Sequence, residues 1–126
     1  MKKLEEIGSK ILCAAINVHS HLGPGLLESV YQKCLRYELE LLGMKVLCEV
    51  PLPIKYKEVC IDVGYRMDMM VEDCVLVENK TVEKISPVHE AQLLTYLRMQ
   101  EYSLGYVLNW NVVLMKHGIK RMVNKL

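Results

Sequence analysis

Residues 74–77 are apolar at four consecutive positions and lead directly into Glu78-Asn79-Lys80. Because successive side chains of a strand point to opposite faces of a sheet, this run predicts a strand that is buried on both faces, inside a sheet. Residues two apart share a face, so Glu78 and Lys80 point one way and Asn79 points the other. Buried charges are costly without partners, so this acid and base indicate either an ion pair or a site.

Hydrophobic periodicity predicts the order of elements along the rest of the chain. In chain order, we predict helices over 3–21 and 26–42, strands over 45–57, 59–71 and 74–82, a helix over 87–101, and strands over 104–110 and 119–124. Gly23-Pro24-Gly25 separates the first two helices, and Ser86 before Pro87 is typical of a helix start. The order predicts one α/β (α+β) domain, residues 1–126, with a mixed sheet and helices packed against it.

The charges of the chain nearly cancel, with 16 Lys and Arg residues against 15 Asp and Glu residues. The chain therefore lacks a strongly basic coat, and a nucleic-acid partner would have to meet a local patch. One basic cluster lies near the C-terminus, and a solvated edge would explain it equally well: Lys116, His117, Lys120, Arg121 and Lys125. Self-association of the chain could join two small patches into a larger one.

Cysteine usage and hydropathy limit the environment of the protein. The five cysteines form no C-x-x-C pair, so we expect reduced, mostly packed thiols in a cytoplasmic protein and no zinc site. No signal peptide is visible, and no run approaches the roughly 20 apolar residues of a membrane span. We therefore expect no membrane partner.

Two further carboxylates are candidates for the same site. Asp68 shares its predicted strand face with Arg66, so an ion pair between them is the alternative explanation. Glu28 lies near the start of the second helix, at the margin of its apolar face. A carboxylate aimed into a fold is costly unless it is paired or metal-bound, so either Glu28 finds a basic partner or it belongs to a site.

The third predicted helix places Gln92 and Tyr96 four residues apart, and such residues are neighbours on a helix surface. We expect this pair to lean toward the end of the Glu78–Lys80 strand. The alternative is a half-buried tyrosine beside a solvated amide. The residues expected to hold this helix against the sheet are Val88, Ala91, Leu94 and Leu97.

The ordered set of motifs resembles the PD-(D/E)xK nuclease superfamily. Gly25-Leu-Leu-Glu28-Ser-Val-Tyr31 is similar to the signature of its small GxxExxY branch. The resemblance continues through segments 50–57, 64–73, 89–97 and 118–124. It implies a restriction-endonuclease-like αβββαβ core with a mixed central sheet flanked by helices, plus an extra N-terminal helix.

The resemblance also implies a role for each candidate in one cleft. Asp68 and Glu78 would bind Mg²⁺ or Mn²⁺. Glu28 would be the additional helix carboxylate of exonuclease-like branches and a third metal ligand. Lys80 would position or activate the attacking water and offset charge in the transition state. The four residues are thus the expected catalytic set.

Two details of the resemblance concern substrate binding and a departure from the family pattern. Gln92 and Tyr96 match the Q-x-x-x-Y element, which contacts the metal-bound region and the DNA backbone and would position the substrate. Met67 stands before Asp68 where the superfamily's name has proline, at a position that varies widely.

The sequence therefore supports competing functional hypotheses. The first is a metal-dependent phosphodiesterase of nucleic acid, with DNA as the expected substrate. The second is a nuclease-fold module, catalytically weak or inactive, that binds nucleic acid or a protein partner. The near-zero net charge favours the second, since a DNA groove normally needs a basic surface. A third is a structural protein whose acids and lysine form ion pairs.

Overall fold

The computed structural model describes residues 2–125. The elements it contains, in chain order, are α1 (Lys2–Leu22), α2 (Glu28–Leu41), β1 (Val46–Pro51), β2 (Ile54–Tyr56), β3 (Val59–Ile61), β4 (Arg66–Val71), β5 (Val75–Lys80), α3 (Pro87–Gln100), β6 (Leu104–Asn109), a 3₁₀ turn (Met115–Gly118) and β7 (Ile119–Val123). α2, β1, β4, β5, α3 and β6 give the predicted αβββαβ order, and α1 is the extra N-terminal helix.

The main sheet has five strands in the order β1-β4-β5-β6-β7. β5 and β6 are parallel, as expected for two strands joined through α3, and the other neighbours are antiparallel. β5 lies at the centre, and all its residues except Lys80 are buried. The prediction of a mixed sheet with this inner strand is confirmed.

Helices cover both faces of the sheet. Val75 and Val77 of β5 pack in the cluster that includes α1 and α2, whereas Leu76 packs in the cluster that includes α3. This alternation follows from the two-residue period of a strand. It places Glu78, two residues after Leu76, on the α3 face. Within residues 2–125, no helix is both long and apolar enough to span a membrane.

The two long strands predicted over 45–57 and 59–71 are each divided in the structure. Pro53, which lacks a backbone N–H, lies between β1 and β2. Gly64 adopts a φ of 86°, and its N–H donates to the Asp62 carboxylate at 3.3 Å, which turns the chain between β3 and β4. As a result β2 and β3 form a separate two-stranded hairpin outside the main sheet.

The start of α3 is capped as predicted. The Ser86 hydroxyl accepts a hydrogen bond from the His89 backbone N–H at 3.3 Å, and the His89 ring accepts one from the Ser86 N–H at 3.0 Å. The two bonds satisfy donors that a helix start leaves without intrahelical partners. They fix the angle at which α3 leaves the sheet.

The predicted contact face of α3 is partly wrong. Val88 is 74% exposed and Ala91 is also exposed, whereas Leu97 is buried as expected. The buried face consists of Leu93, Tyr96 and Leu97. α3 is therefore rotated about its axis relative to the prediction, because the Tyr96 ring and not Val88 fills the space over the sheet.

The five cysteines within the described chain are free thiols. Cys13 and Cys60 are exposed, and Cys34, Cys48 and Cys74 are of intermediate burial. The expectation of packed thiols is wrong for Cys13 on α1 and for Cys60 in the β2–β3 hairpin.

Candidate functional site

Strands β4 and β5 part from each other at Asp68 and Glu78. Backbone pairing ends at Met69 opposite Val77, although β4 begins at Arg66 and β5 runs on to Lys80. Beyond that pair, side chains replace the missing backbone partners. The Glu78 carboxylate accepts from the Asp68 backbone N–H at 2.7 Å, and the Asp68 carboxylate accepts from the N–H after Glu78 at 2.8 Å. The two acids thus lie side by side in the opening between the strands.

Both acids belong to the α3 face of the sheet. Asp68 lies two residues before Met70, and Glu78 lies two residues after Leu76; Met70 and Leu76 are both in the α3-side cluster. Lys80 lies two residues after Glu78, so its side chain points to the same face of the sheet. The sequence prediction that these three side chains occupy one face therefore agrees with the register.

The environment disfavours negative charge at this pair. Burial, and after it the charge of Asp68, raises the pKa of Glu78 to about 8. Burial also raises the pKa of Asp68 to about 6, with the charges of Glu28 and Glu49 adding to the effect. The backbone N–H donors and Lys80 act in the opposite direction without offsetting it. Positive charge is therefore what the site requires when both acids are ionised.

Simple ion pairing does not explain the candidate residues. Asp68, Glu78, Lys80 and Arg66 take part in none of the ion pairs between residues 2 and 125. Those ion pairs are Arg36–Glu40, Lys45–Asp73, Lys120–Glu90 and Arg121–Glu5. The alternative of an Asp68–Arg66 or Glu78–Lys80 salt bridge is therefore wrong.

The C-terminal basic cluster is partly neutralised. Arg121 pairs with Glu5 on α1, and Lys120 approaches Glu90 on α3 at 3.7 Å. Both pairs are at the surface, where such contacts contribute little to stability. They nevertheless reduce the positive potential of this edge and favour the solvated-edge explanation.

Glu28 is the first residue of α2 and is exposed. Its charge raises the pKa of both Asp68 and Glu78, so it faces the same opening at longer range. Tyr31 fixes the turn that leads to it. The Tyr31 hydroxyl donates to the Gly23 carbonyl at 2.6 Å and accepts from the Leu26 N–H at 3.1 Å.

Tyr96 and Gln92 lie beside the acids. Tyr96 is only 4% exposed, and burial followed by the charge of Glu78 raises the pKa of its hydroxyl, with Tyr65 and Asp68 adding to the effect. A hydrogen bond with the Gln92 side chain lowers the pKa of the same hydroxyl without offsetting the rise. These effects link Tyr96 to the acids and Gln92 to Tyr96. The expected lean of the pair toward the end of β5 stays a prediction. The tyrosine is buried rather than half-buried.

The sequence did not single out a polar chain behind the acids. Asn79 is fully buried on the α2 side and donates from its side chain to Gln32 at 3.2 Å. Gln32 in turn donates to Glu49 at 3.0 Å. The signal available was Asn79 itself, an amide next to a strand that is apolar on both faces, because such a group must find hydrogen-bond partners.

Glu49 is a further residue that the sequence analysis did not identify. It lies in β1 between Cys48, opposite Met69, and Val50, opposite Met67, so it faces the position of Asp68. Its backbone φ of 54° is unusual for a non-glycine residue inside a strand and costs on the order of 1–3 kcal/mol. The hydrophobic periodicity of this segment did not indicate such a backbone conformation.

The carboxylates in the opening are oxygen donors of the type that hard metal ions bind. Between residues 2 and 125, no group of three or more His, Cys, Asp or Glu side chains is arranged to hold one. The opening offers two carboxylates, Asp68 and Glu78. Mg²⁺ takes oxygen ligands, often one or two carboxylates from the protein, and keeps several waters. These two residues therefore fit a hard divalent cation such as Mg²⁺.

A family model of the PD-(D/E)XK nuclease superfamily matches residues 5–122, nearly the whole chain. The protein belongs to this superfamily. Searches of curated proteins and of solved structures found no match. The predicted superfamily is therefore confirmed, and nucleases of this superfamily generally use divalent metal ions and bind nucleic acid.

Proposed function

We propose that the protein is a metal-dependent phosphodiesterase of the GxxExxY branch that hydrolyses nucleic acid, with DNA as its substrate. Residues 1–126 would form a single nuclease domain. The observation that carries the proposal is the Asp68–Glu78 pair in the opening between β4 and β5. Two adjacent acids with raised pKa values and no ion-pair partner among residues 2–125 are an expensive arrangement in a purely structural protein.

Asp68 and Glu78 would hold Mg²⁺ or Mn²⁺, with Glu28 as a further acid ligand from α2. When bound, the ion polarises a phosphoryl oxygen and makes a water more acidic. Binding of a cation would also stabilise the ionised carboxyls against the burial and the neighbouring negative charges that raise their pKa values. The ionised pair is thus the form that the metal selects.

Lys80 would act directly on the reacting phosphate. It is half-buried on the same strand face as Glu78, and no ion pair within the described part of the chain restrains its ammonium group. A fixed positive charge near the phosphoryl oxygens stabilises the negative charge that develops in the transition state. The same ammonium group would orient the attacking water.

Gln92 and Tyr96 would position the substrate. Burial raises the pKa of the Tyr96 hydroxyl above its ordinary value of 10.0, so it stays protonated at neutral pH and can donate a hydrogen bond. The Gln92 amide, one helical turn earlier, would order a water or a phosphate oxygen. Neither group need carry charge to do this.

A second candidate function is a nuclease-fold module that binds nucleic acid or a protein without turnover. It is favoured by the nearly balanced charge and by the pairing of Lys120 and Arg121 with acids. The second function would place any nucleic acid on a small patch, or on a patch completed by self-association.

A cleavage assay tests the first function. Purified protein is incubated with single-stranded, duplex and branched DNA and with RNA, in Mg²⁺ or Mn²⁺. Hydrolysis is expected in wild type, and Lys80→Ala should reduce it by about 10²–10⁴-fold. Lys33→Ala, at an exposed position on α2, is the control. Metal binding without cleavage of any substrate would reject the first function in favour of the second.

A further inference from the structure

A groove of about 300 Å³ opens beside the acid pair on the α3 face. Its lining residues come from the hairpin, from the residue directly before β4 and from α3: Ile54, Tyr65, Gln92, Thr95, Tyr96 and Met99. Tyr96 is common to the groove and the surroundings of the acids, since it lines the groove and its pKa, raised mainly by burial, is raised further by the charges of Glu78 and Asp68. The groove therefore lies next to the proposed catalytic opening.

Tyr65 is the side chain in this groove that can offer an aromatic face. It is 47% exposed, whereas Tyr96 is almost fully buried and presents little beyond its hydroxyl. The Tyr65 backbone is fixed, because its carbonyl accepts from the Leu52 N–H at 2.9 Å. The ring lies three residues before Asp68. Its position is thus set by the strand that carries the first acid.

The chemistry of the groove matches a flat ring with a polar edge. Ile54 and Met99 supply apolar contacts, Tyr65 supplies a ring, and the Gln92 side chain can both donate and accept hydrogen bonds. Nucleobases have this combination, and they stack on tyrosine rings largely without regard to sequence. A base inside an intact duplex is already stacked and paired, so it cannot enter such a groove.

The apolar face of the hairpin extends the groove outward. Ile54 pairs with Ile61, and Tyr56 pairs with Val59, so the four side chains share one face. Tyr56 is 61% exposed, and the Lys57 ammonium lies 5.4 Å from the centre of its ring. A second ring with a cation beside it is a suitable platform for the next base of a strand.

We propose that this groove is a nucleobase subsite, and that the substrate is a single strand or an unpaired end whose base rests on Tyr65. The inference deepens the proposed function and rests on it, because the groove would seat the nucleotide next to the phosphate held at Asp68 and Glu78. Stacking also supplies affinity without charge, which suits a chain with a net charge of +1.

Binding is measured by fluorescence anisotropy in EDTA, so that the strand stays intact. The probes are a labelled thymidine dodecamer and the same backbone with abasic sugars, which keeps the phosphates and removes the bases. Wild type should bind the thymidine strand about 5- to 150-fold more tightly than the abasic strand. Tyr65→Ala should lose this preference, and Tyr65→Phe should keep it.

The control is Tyr37→Ala, which removes a 62% exposed tyrosine from α2 on the other side of the sheet and should leave the preference unchanged. Circular dichroism verifies that each variant is folded. Equal affinity of wild type for the two strands would overturn the subsite. So would an unchanged preference in Tyr65→Ala, or a preference for intact duplex.

Two outcomes separate this inference from the proposed function. Metal-dependent cleavage by a protein that does not distinguish bases from abasic sites would overturn the subsite alone. A base preference lost in Tyr65→Ala, in a protein that binds no Mn²⁺ and cleaves nothing, would support the subsite and overturn the hydrolytic function. If Tyr65→Ala instead abolishes dimers seen by light scattering while the strands bind equally, the groove is a contact between copies and the proposal fails.

Discussion

The indole N–H of Trp110 donates a hydrogen bond to the Asn79 side chain at 2.9 Å, directly behind the end of β5. The indole ring also stacks on Tyr31, with ring centres 4.8 Å apart and planes 8° apart. Tyr31 in turn fixes the turn that precedes Glu28. One buried indole thus links the strand end that carries two candidate catalytic residues to the helix that carries a third.

Trp110→Phe should lower the free energy of unfolding by more than the loss of packing alone. Phenylalanine can still stack, but the Asn79 oxygen would lose its buried donor, at a cost of about 1–3 kcal/mol. A double-mutant cycle with Asn79→Ala, measured by urea denaturation, should give a coupling energy of about 0.5–3 kcal/mol. Additive effects of the two substitutions would show that the hydrogen bond contributes nothing.

The stability of the metal-free protein should fall as the pH rises from about 4 to about 8. In the folded protein Glu78 and Asp68 release protons near pH 8 and 6, whereas the unfolded chain releases them near their ordinary pKa values of 4.5 and 3.8. The folded state therefore binds more protons across this window, and raising the pH favours unfolding.

Urea denaturation in EDTA at pH 5 and pH 8 measures this dependence. Glu78→Gln should reduce the decrease seen in wild type by at least about 1 kcal/mol, since one pKa unit corresponds to that much. Glu6 is an exposed acid on α1, so Glu6→Gln should show the same decrease in stability between pH 5 and pH 8 as wild type. Stability that rises across the same window, with no difference for Glu78→Gln, would contradict the prediction.

The proximity of Asp68 and Glu78 could be predicted because it depends on local rules. The apolar run of β5 indicates an inner strand, and the two-residue period then fixes which side chains share a face. Adjacent strands in an antiparallel pair bring the acids together. The element order followed from similar local signals, such as the serine and proline at the start of α3.

The hairpin could not be predicted from the same period. Alternating apolar residues continue through Val59, Ile61, Val63 and Tyr65 into β4, so the pattern described one long strand with a buried face. In the structure these four side chains are exposed. Gly64 was the local sign of the turn, but hydrophobic alternation cannot indicate which apolar faces remain without a partner. The Trp110–Asn79 contact could not be predicted from local patterns either, since it joins residues 31 positions apart in the chain.

Mn²⁺ binding should depend strongly on Asp68 and Glu78 in the strands and less on Glu28 in α2. Asp68→Ala and Glu78→Ala should each weaken binding at least about 10-fold, as expected for loss of a direct ligand. Glu28→Gln should have a smaller effect, because Glu28 is exposed and makes no hydrogen bond to the strands in the described structure. Isothermal titration calorimetry gives the affinities, and equal values in wild type and both alanine variants would exclude a metal site.

The same titration should release protons. Near pH 7 the raised pKa of Glu78 keeps much of that carboxyl protonated, and a metal ion binds only the ionised form. The observed binding enthalpy should therefore differ between phosphate-free buffers of unlike ionisation enthalpy, and the difference should shrink in Glu78→Gln if any binding remains. A buffer-independent enthalpy for wild type would show that the metal does not displace this proton.

Tyr96→Phe should separate the two roles of that side chain. The ring is buried between α3 and the sheet with Leu93 and Leu97, and phenylalanine keeps those contacts, so stability should change by less than about 0.5 kcal/mol. The hydroxyl next to Glu78 is lost, so the affinity for substrate or metal should fall. Gln92→Ala should have the same pattern, because its amide serves the same opening.

Tyr102→Phe is the matched control for that comparison. Tyr102 packs against the same cluster, but its hydroxyl donates to the Met70 sulfur at 3.4 Å. The charge with the largest effect on its pKa is that of Asp73, which follows β4 at the end away from the acids. Removing that hydroxyl should leave both metal affinity and cleavage unchanged. A large loss of stability in Tyr96→Phe, with affinity and cleavage equal to those of Tyr102→Phe, would show that the Tyr96 hydroxyl is structural. The opening would then rely on the two acids, Lys80 and Gln92 to bind substrate.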